Sequence, residues 1–209
     1  MIDPDKLDWT KMGGLIPAIA QDSSSGEVRM LGYCNREALE TTIRTRVATF
    51  FSRSRGKLWV KGETSGNPLD LVDVRADCDG DTMLFLVRPH GPTCHLGRVS
   101  CFGDQGAPGV GFIATLAETI AARATADPAQ SYTARLLGEG VKRIAQKVGE
   151  EGVETALAAV AGDRVELESE AADLVYHLTL LLEASGSSWY NVVGELRRRH
   201  SASSATASS

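Results

Sequence analysis

The chain has 209 residues, enough for one large domain or two small ones, and its 43% hydrophobic content excludes disorder for most of its length. A net charge of −5 gives no general attraction to nucleic acid or to an anionic membrane, and leaves a phosphate-bearing small molecule open as a ligand. The charged N-terminus "MIDPDKLDWTK" lacks an apolar core of signal-peptide length, and no apolar run approaches bilayer-spanning length, so the cytosol is the expected compartment.

In chain order, short apolar or alternating runs come first: "LIPAIAQD", "EVRMLGYC", "VATFFSRS", "KLWVKGET", "LDLVDVRAD" and "TMLFLVRP", parted by Gly, Ser, Asn and Pro. They predict strands, interrupted by one helix, "NREALETTIRTR", that Asn35 caps. Residues 1–107 are therefore expected to form an α+β, mostly β, domain. "FGDQGAPGVG" then concentrates Gly and Pro and marks a boundary near 108. Beyond it "FIATLAETIAARA", "YTARLLGEGVKRIAQKVGEEGVETALAAVA", "ELESEAADLVYHLTLLLEA" and "SWYNVVGELRRRH" predict an all-α domain over 108–200. The closing "SASSATASS", 201–209, has nothing to bury and is expected to be a disordered tail.

The first half carries three chemically loaded stretches. "SRSRGKLWVKGETSGN" sets Arg53, Arg55, Lys57 and Lys61 beside a turn of Gly62, Glu63, Thr64, Ser65, Gly66 and Asn67. Exposed backbone N–H groups next to cations hold phosphate, although a charged hairpin needs no ligand, and no GxxxxGK[ST] element is present. Trp59 offers a ring for base stacking or for the core. In "ADCDGDT", read as extended, alternate side chains share a face, so Asp77, Asp79 and Asp81 point one way and Cys78 the other. Carboxylates suit Mg²⁺ and a thiolate suits Zn²⁺, while a solvated acidic turn fits equally. An EF-hand is excluded, because its glycine would fall on Thr82 and its closing glutamate on Arg88. Lastly, "GPTCHLGRVSCF" adds Cys94 and Cys101 to Cys78. Three thiolates leave a tetrahedral ion one open position, as in a catalytic zinc; His90 or His95 as fourth ligand would close it into a structural one. The HxE and PCxxC elements of zinc deaminases are absent.

Taken together, "MLGYCNREAL", "FFSRSRGKLWVKGETSGN", "DCDGDT" and "GPTCHLGRVSCF" resemble phosphoribosyl-AMP cyclohydrolase of histidine biosynthesis across essentially the whole first half. The resemblance implies that Cys78, Cys94 and Cys101 bind Zn²⁺, drawn from both subunits of a homodimer, and that Asp77, Asp79 and Asp81 bind Mg²⁺. It makes Arg53, Arg55, Trp59, Lys61 and the Gly62–Asn67 turn the expected substrate contacts. The implied reaction hydrolyses the adenine ring between N1 and C6, with water activated by zinc as nucleophile. His95 is the candidate proton-handling group, its alternative being to orient a thiolate; His90, before a Gly-Pro turn, is a weaker one. Cys34 stands where the family usually has methionine and is read as a small buried hydrophobe.

The helical half has its own acids. Glu150 and Glu151 lie four and three residues before Glu154, sharing one side of a helix, and Glu170 and Asp173 are again three apart. A solvated acidic face explains either set alone. The apolar Val148, Val153, Leu157 and Val160, and Leu174, Val175, Leu178 and Leu181 opposite, are expected to leave little of either surface to water, so that cations must offset the acids. This EExxE…ExxD pattern resembles the MazG-related all-α pyrophosphohydrolases, and its surroundings resemble phosphoribosyl-ATP pyrophosphatase from about 112 to 200. That likeness implies Mg²⁺ on Glu150, Glu151, Glu154, Glu170 and Asp173. Lys147 is a candidate phosphate contact, as are Lys142 and Arg143, which otherwise solvate a face; His177 either orients Asp173 or packs. Pyrophosphate loss in the second half would yield the substrate of the first. The rival reading is a non-catalytic zinc-stabilised β module fused to a helical dimerisation domain.

Overall fold

The computed structural model describes the backbone of residues 2–206 and side chains through residue 201. It divides into two compact units, one ending at Phe112 and the other beginning at Ile113. The glycine-rich segment thus stays with the first unit. Ala107 is buried there, and Gly111 lies so close to the Ser25 carbonyl that a Cβ would approach its oxygen to 2.1 Å.

Every expected strand of the first unit forms: β1 (Ile16–Asp22), β2 (Val28–Cys34), β3 (Thr49–Ser52), β4 (Lys57–Val60), β5 (Leu69–Ala76) and β6 (Met83–Pro89). Four make one sheet in the order β2-β1-β6-β5, with β1 parallel to β6 and the other pairs antiparallel; β3 and β4 form a separate hairpin. The period of two sends Ile16, Ala18, Ala20, Met83, Phe85 and Val87 to one buried face. Helix α1 (Arg36–Thr45) covers that face with Ala38 and Leu39, and β3 covers it with Phe50. The Asn35 side chain accepts the Ala38 N–H at 2.9 Å and starts α1; Arg46, at φ 61°, ends it. Cys34 lies fully buried in this core, as its reading required, and burial pushes its thiol well above the ordinary range.

One local expectation fails. Residues 77–82 are not extended, because β5 and β6 pair as far as Ala76 opposite Met83 and the chain must reverse between them. Asp77 organises the reversal: its Oδ1 accepts N–H groups of Asp81 (3.0 Å) and Thr82 (3.2 Å), with Gly80 at φ +74°.

The second unit contains α2 (Phe112–Arg123), α3 (Tyr132–Glu139), α4 (Val141–Ala161), α5 (Arg164–Ala184) and α6 (Trp189–Thr206). The long run expected after Tyr132 breaks at Gly140, whose φ of +87° no helix accommodates. α4 ends on left-handed Gly162, and the Asp163 side chain caps α5 through the Glu166 N–H, so two residues suffice to fold the helices back on each other. Ile120, Leu136, Ile144 and Leu180 form the core. Two expectations are corrected. Val153, Leu157 and Val160 are 60%, 62% and 89% exposed, so this face of α4 is not closed to water within one chain. Helix α6 also runs through Ser201 to Thr206, into the expected tail, where Ser201 Oγ donates to the Arg197 carbonyl; residues 207–209 lie outside the described residues.

Candidate functional site

In the first unit a cavity of about 260 Å³ opens between the β3–β4 hairpin with its following turn and the loop after β6. The hairpin side supplies Arg55, Trp59 and Lys61, the turn supplies Gly62, Glu63, Thr64 and Ser65, and the loop supplies Thr93, Cys94, His95 and Cys101. The Trp59 ring stacks on core Phe50 at 5.1 Å, and the residue also borders the cavity. Gly62 has φ +93°, and a Cβ there would meet the Pro68 nitrogen at 2.4 Å, so the turn closes only on glycine. Lys61 is buried and reaches the Asn67 carbonyl at 3.3 Å, bracing this turn from beneath.

Three expected contacts lie elsewhere. The Arg53 guanidinium stacks 3.8 Å over the Tyr33 ring. The Asn67 side chain donates to the Pro92 carbonyl, tying the turn to the cysteine loop, and Gly66 does not border the cavity. His90 pairs with Asp70 at 2.7 Å and does not border it either.

Cys94 and Cys101 come together here, because the Cys101 N–H donates to the Arg29 carbonyl at 2.9 Å while the Cys94 N–H donates to Arg98, folding the loop on itself. Partial burial and the neighbouring Cys94 push the Cys101 thiol up, against the pull of the Lys61 ammonium. Burial lowers Lys61 in turn, opposed by charge on Cys101 and Cys94. His95 places Nδ1 4.0 Å from the Cys94 sulfur. Two soft sulfur donors on one cavity wall fit a thiophilic cation. Cys78 is exposed in the β5–β6 loop and joins neither thiol in any ligand group among the described residues.

The acids of that loop do converge. Asp77, Asp79 and Asp81 place carboxylate oxygens within 4.8 Å of one another, although the turn, not strand alternation, gathers them. Lys11 bridges Asp79 and Asp81 at 2.6 Å each, which holds its ammonium well above the ordinary range and Asp81 below. Hard oxygens at this spacing suit a divalent cation, and the bridge shows that the cluster draws positive charge.

In the second unit Glu151 and Glu154 of α4 meet Glu170 of α5 within the same 4.8 Å limit. Partial desolvation and the charges of Glu154 and Glu166 push the Glu170 carboxyl up. Glu150 is not in the group: Lys147 and Gln146 hold it at 2.9 and 2.7 Å, and lower it. Lys147 also reaches Glu151 at 3.3 Å, so its ammonium is engaged within its own helix. Asp173 borders a neighbouring cavity of about 500 Å³ together with Glu151, His177 and Tyr132. Buried His177 contacts the Asp173 carbonyl (2.9 Å), Glu151 (3.6 Å) and the Tyr132 hydroxyl (3.3 Å). Sequence reasoning missed Lys11, Tyr132 and Thr93, since each meets its site through tertiary contact and carries no local signal.

A family model described as phosphoribosyl-AMP cyclohydrolase matches residues 30–103, and one described as phosphoribosyl-ATP pyrophosphohydrolase matches 113–200. The histidine biosynthesis bifunctional protein HisIE of Yersinia pestis is 55% identical over 196 residues, covering 94% of this chain and 96% of that protein. Its counterpart from Escherichia coli K12 is 55% identical over 195 residues, and that from Photobacterium profundum 52% over 199, each covering 93% of this chain and 96% of the relative.

Proposed function

This chain belongs to the family of HisIE bifunctional histidine-biosynthesis proteins, and on that premise we propose how its two units divide the chemistry. The chain is a bifunctional hydrolase: its C-terminal half converts phosphoribosyl-ATP to phosphoribosyl-AMP and pyrophosphate, and its N-terminal half opens the adenine ring of the product between N1 and C6. The non-catalytic module is disfavoured, because it gives no reason for both halves to match enzymes of one pathway.

In this reading Cys94 and Cys101 hold zinc with Cys78 of a second subunit. The pairing of the first two in one cavity, with Cys78 exposed apart from them, supports it. Zinc, when bound, supplies a Lewis acid that lowers the pKa of water toward ~7. Trp59 stacks on the purine, and Arg55 with the Gly62–Ser65 turn takes the phosphate. His95, with Nδ1 turned toward Cys94, has Nε2 left to remove a proton from the attacking water and return it to N1 as the N1–C6 bond breaks. Asp77, Asp79 and Asp81 hold Mg²⁺ in this unit. In the helical unit Glu151, Glu154 and Glu170 hold Mg²⁺ on the triphosphate, with Asp173 and Glu150 at the margins; Mg²⁺, when bound, neutralises phosphate charge and aligns water.

Homodimerisation completes the proposal. The outer sheet face presents Ile19 between Leu31 and Leu84 across three strands, with Leu31 44% exposed, and the bare face of α4 is a second apolar surface. Four free thiols support a reducing cytosol, and no helix among the described residues is long and apolar enough to cross a membrane.

The observation that carries the assignment is the convergence of Cys94, Cys101 and His95 on the cavity walled by the Arg55–Ser65 segment. With phosphoribosyl-ATP, Mg²⁺ and Zn²⁺ supplied, Cys101→Ala abolishes ring opening and spares pyrophosphate release, followed separately by absorbance and by phosphate assay. Glu154→Ala abolishes pyrophosphate release, and opens the ring at the wild-type rate only when phosphoribosyl-AMP is supplied directly. Wild-type rates of both steps in both variants would overturn the assignment.

A further inference from the structure

The β1–β2 ladder skips one residue beside the cysteine loop. Ala20 pairs with Met30 and Gln21 with Val28, so Arg29 stands opposite no residue of β1. A bulge of this kind frees a carbonyl from the ladder and re-aims a side chain, and bulges are over-represented next to active sites. Both consequences are visible at Arg29. Its carbonyl accepts the Cys101 N–H at 2.9 Å. Its side chain is buried, with the guanidinium on Asp22 (2.6 Å), Glu27 (3.5 Å) and the Val99 carbonyl (3.2 Å).

The Val99 oxygen is where the two thiol-bearing arms of the loop meet. It also accepts the Thr93 N–H at 3.3 Å, from the residue before Cys94, and Val99 itself lies two residues before Cys101. Arg29 therefore grips the loop twice, by its main chain at Cys101 and by its side chain at the oxygen that ties in the Cys94 arm. The Ser100 hydroxyl donates to the Val28 carbonyl at 2.7 Å, docking the second arm over the bulge. Stability alone is a poor reason for this arrangement. One cation and two acids, all buried, are costly to desolvate, and the Arg29 Nε has no hydrogen-bond partner. Apolar residues of similar volume commonly serve stability as well or better.

We propose that Arg29 is a positioning residue of the ring-opening site: its guanidinium, clamped on the Val99 carbonyl, fixes the separation of the Cys94 and Cys101 sulfurs for a thiophilic divalent cation. This rests on the reading that these two thiols bind the ion that activates water.

The test uses the full chain loaded with Co²⁺, whose thiolate-to-metal absorption reports on the sulfurs directly. It adds the thermal midpoint in chelator, and kcat and KM with phosphoribosyl-AMP. Asp22→Asn/Arg29→Met removes the guanidinium together with the acid nearest it, and leaves the main-chain contact to Cys101 in place. It is expected to weaken Co²⁺ binding and to lower kcat, each about tenfold, with KM little changed. Arg29→Lys, which keeps the charge but not the planar fork, falls between this variant and the wild type. Val74→Ala, in the core of the same unit and outside the cavity wall, controls for lost stability: it lowers the midpoint but leaves Co²⁺ affinity and absorption at wild-type values. Pyrophosphate release is unaffected throughout. Wild-type Co²⁺ affinity in the double variant overturns the proposal. So does an equal weakening in Val74→Ala, which would make Arg29 a stability residue only. If the double variant does not fold, Arg29→Lys decides, and wild-type Co²⁺ affinity there overturns the proposal. Ring opening that survives Cys101→Ala overturns the underlying site, whereas its loss there with wild-type Co²⁺ affinity in the Arg29 variants condemns Arg29 alone.

Discussion

Glu170 shows how a single side chain registers the crowding around it. Its carboxyl is held above the ordinary range by partial desolvation and by Glu154, Glu166 and Glu151. A raised carboxyl favours the protonated fold, so its contribution to stability is full below the ordinary carboxylate value and is lost as pH rises through the raised one. Mg²⁺ competes with that proton. The rise in thermal midpoint on adding Mg²⁺ is therefore expected to grow from about pH 4 to about pH 7, and Glu170→Gln is expected to flatten that growth. Calorimetric scans with Mg²⁺ or with chelator check this; an equal Mg²⁺ shift at both pH values in the wild type would show that Glu170 does not meet the ion. Asp81 is the opposite case in the other unit, lowered chiefly by the Lys11 ammonium that bridges it to Asp79.

At the scale of elements, turns do more than strands to place the chemistry. The turn after β4 has two glycines with positive φ, yet they differ in kind. Gly62, at +93°, has the Pro68 nitrogen where a Cβ would go, whereas Gly66, at +73°, faces open space. Gly66→Ala meets only backbone strain and is expected to lower stability by about 1 kcal/mol with ring opening retained. Gly62→Ala must also displace the backbone around Pro68, and is expected to cost several-fold more and to abolish ring opening. Denaturant unfolding alongside the two assays separates them. The β5–β6 loop teaches the same lesson from the other side. A strand argument puts its three aspartates on one face; they do converge, but the Asp77 side chain, capping the reversal, is what gathers them.

For the whole molecule the question is which residues one chain brings together. Cys94 and Cys101 meet within a chain and Cys78 does not, so a homodimer with shared ligands makes a definite demand. Mixed dimers of Cys78→Ala and Cys101→Ala chains hold one intact site each. Subunit exchange between the two inactive variants is therefore expected to restore ring opening to about a quarter of the wild-type rate, because half the dimers are mixed. No recovery after exchange, verified by mass measurement of the mixed species, would place all three ligands within one chain or assign Cys78 another role. What the sequence determined by itself was whatever depends on local order: the six strands by their period of two, the Asn35 cap, the helical second half, and the motifs that identify both enzymes. Tertiary structure decided what depends on contacts between distant residues. The spacing of Glu150, Glu151 and Glu154 put all three on one side of α4, but only packing against α5 selected Glu151 and Glu154 to meet Glu170 and left Glu150 to Lys147. Apolar residues on α4 predicted burial, yet burial needs a covering surface, and within one chain nothing among the described residues covers Val160. Likewise Thr93 is an ordinary threonine in the sequence; the fold around it is what brings it to the cavity wall and buries it.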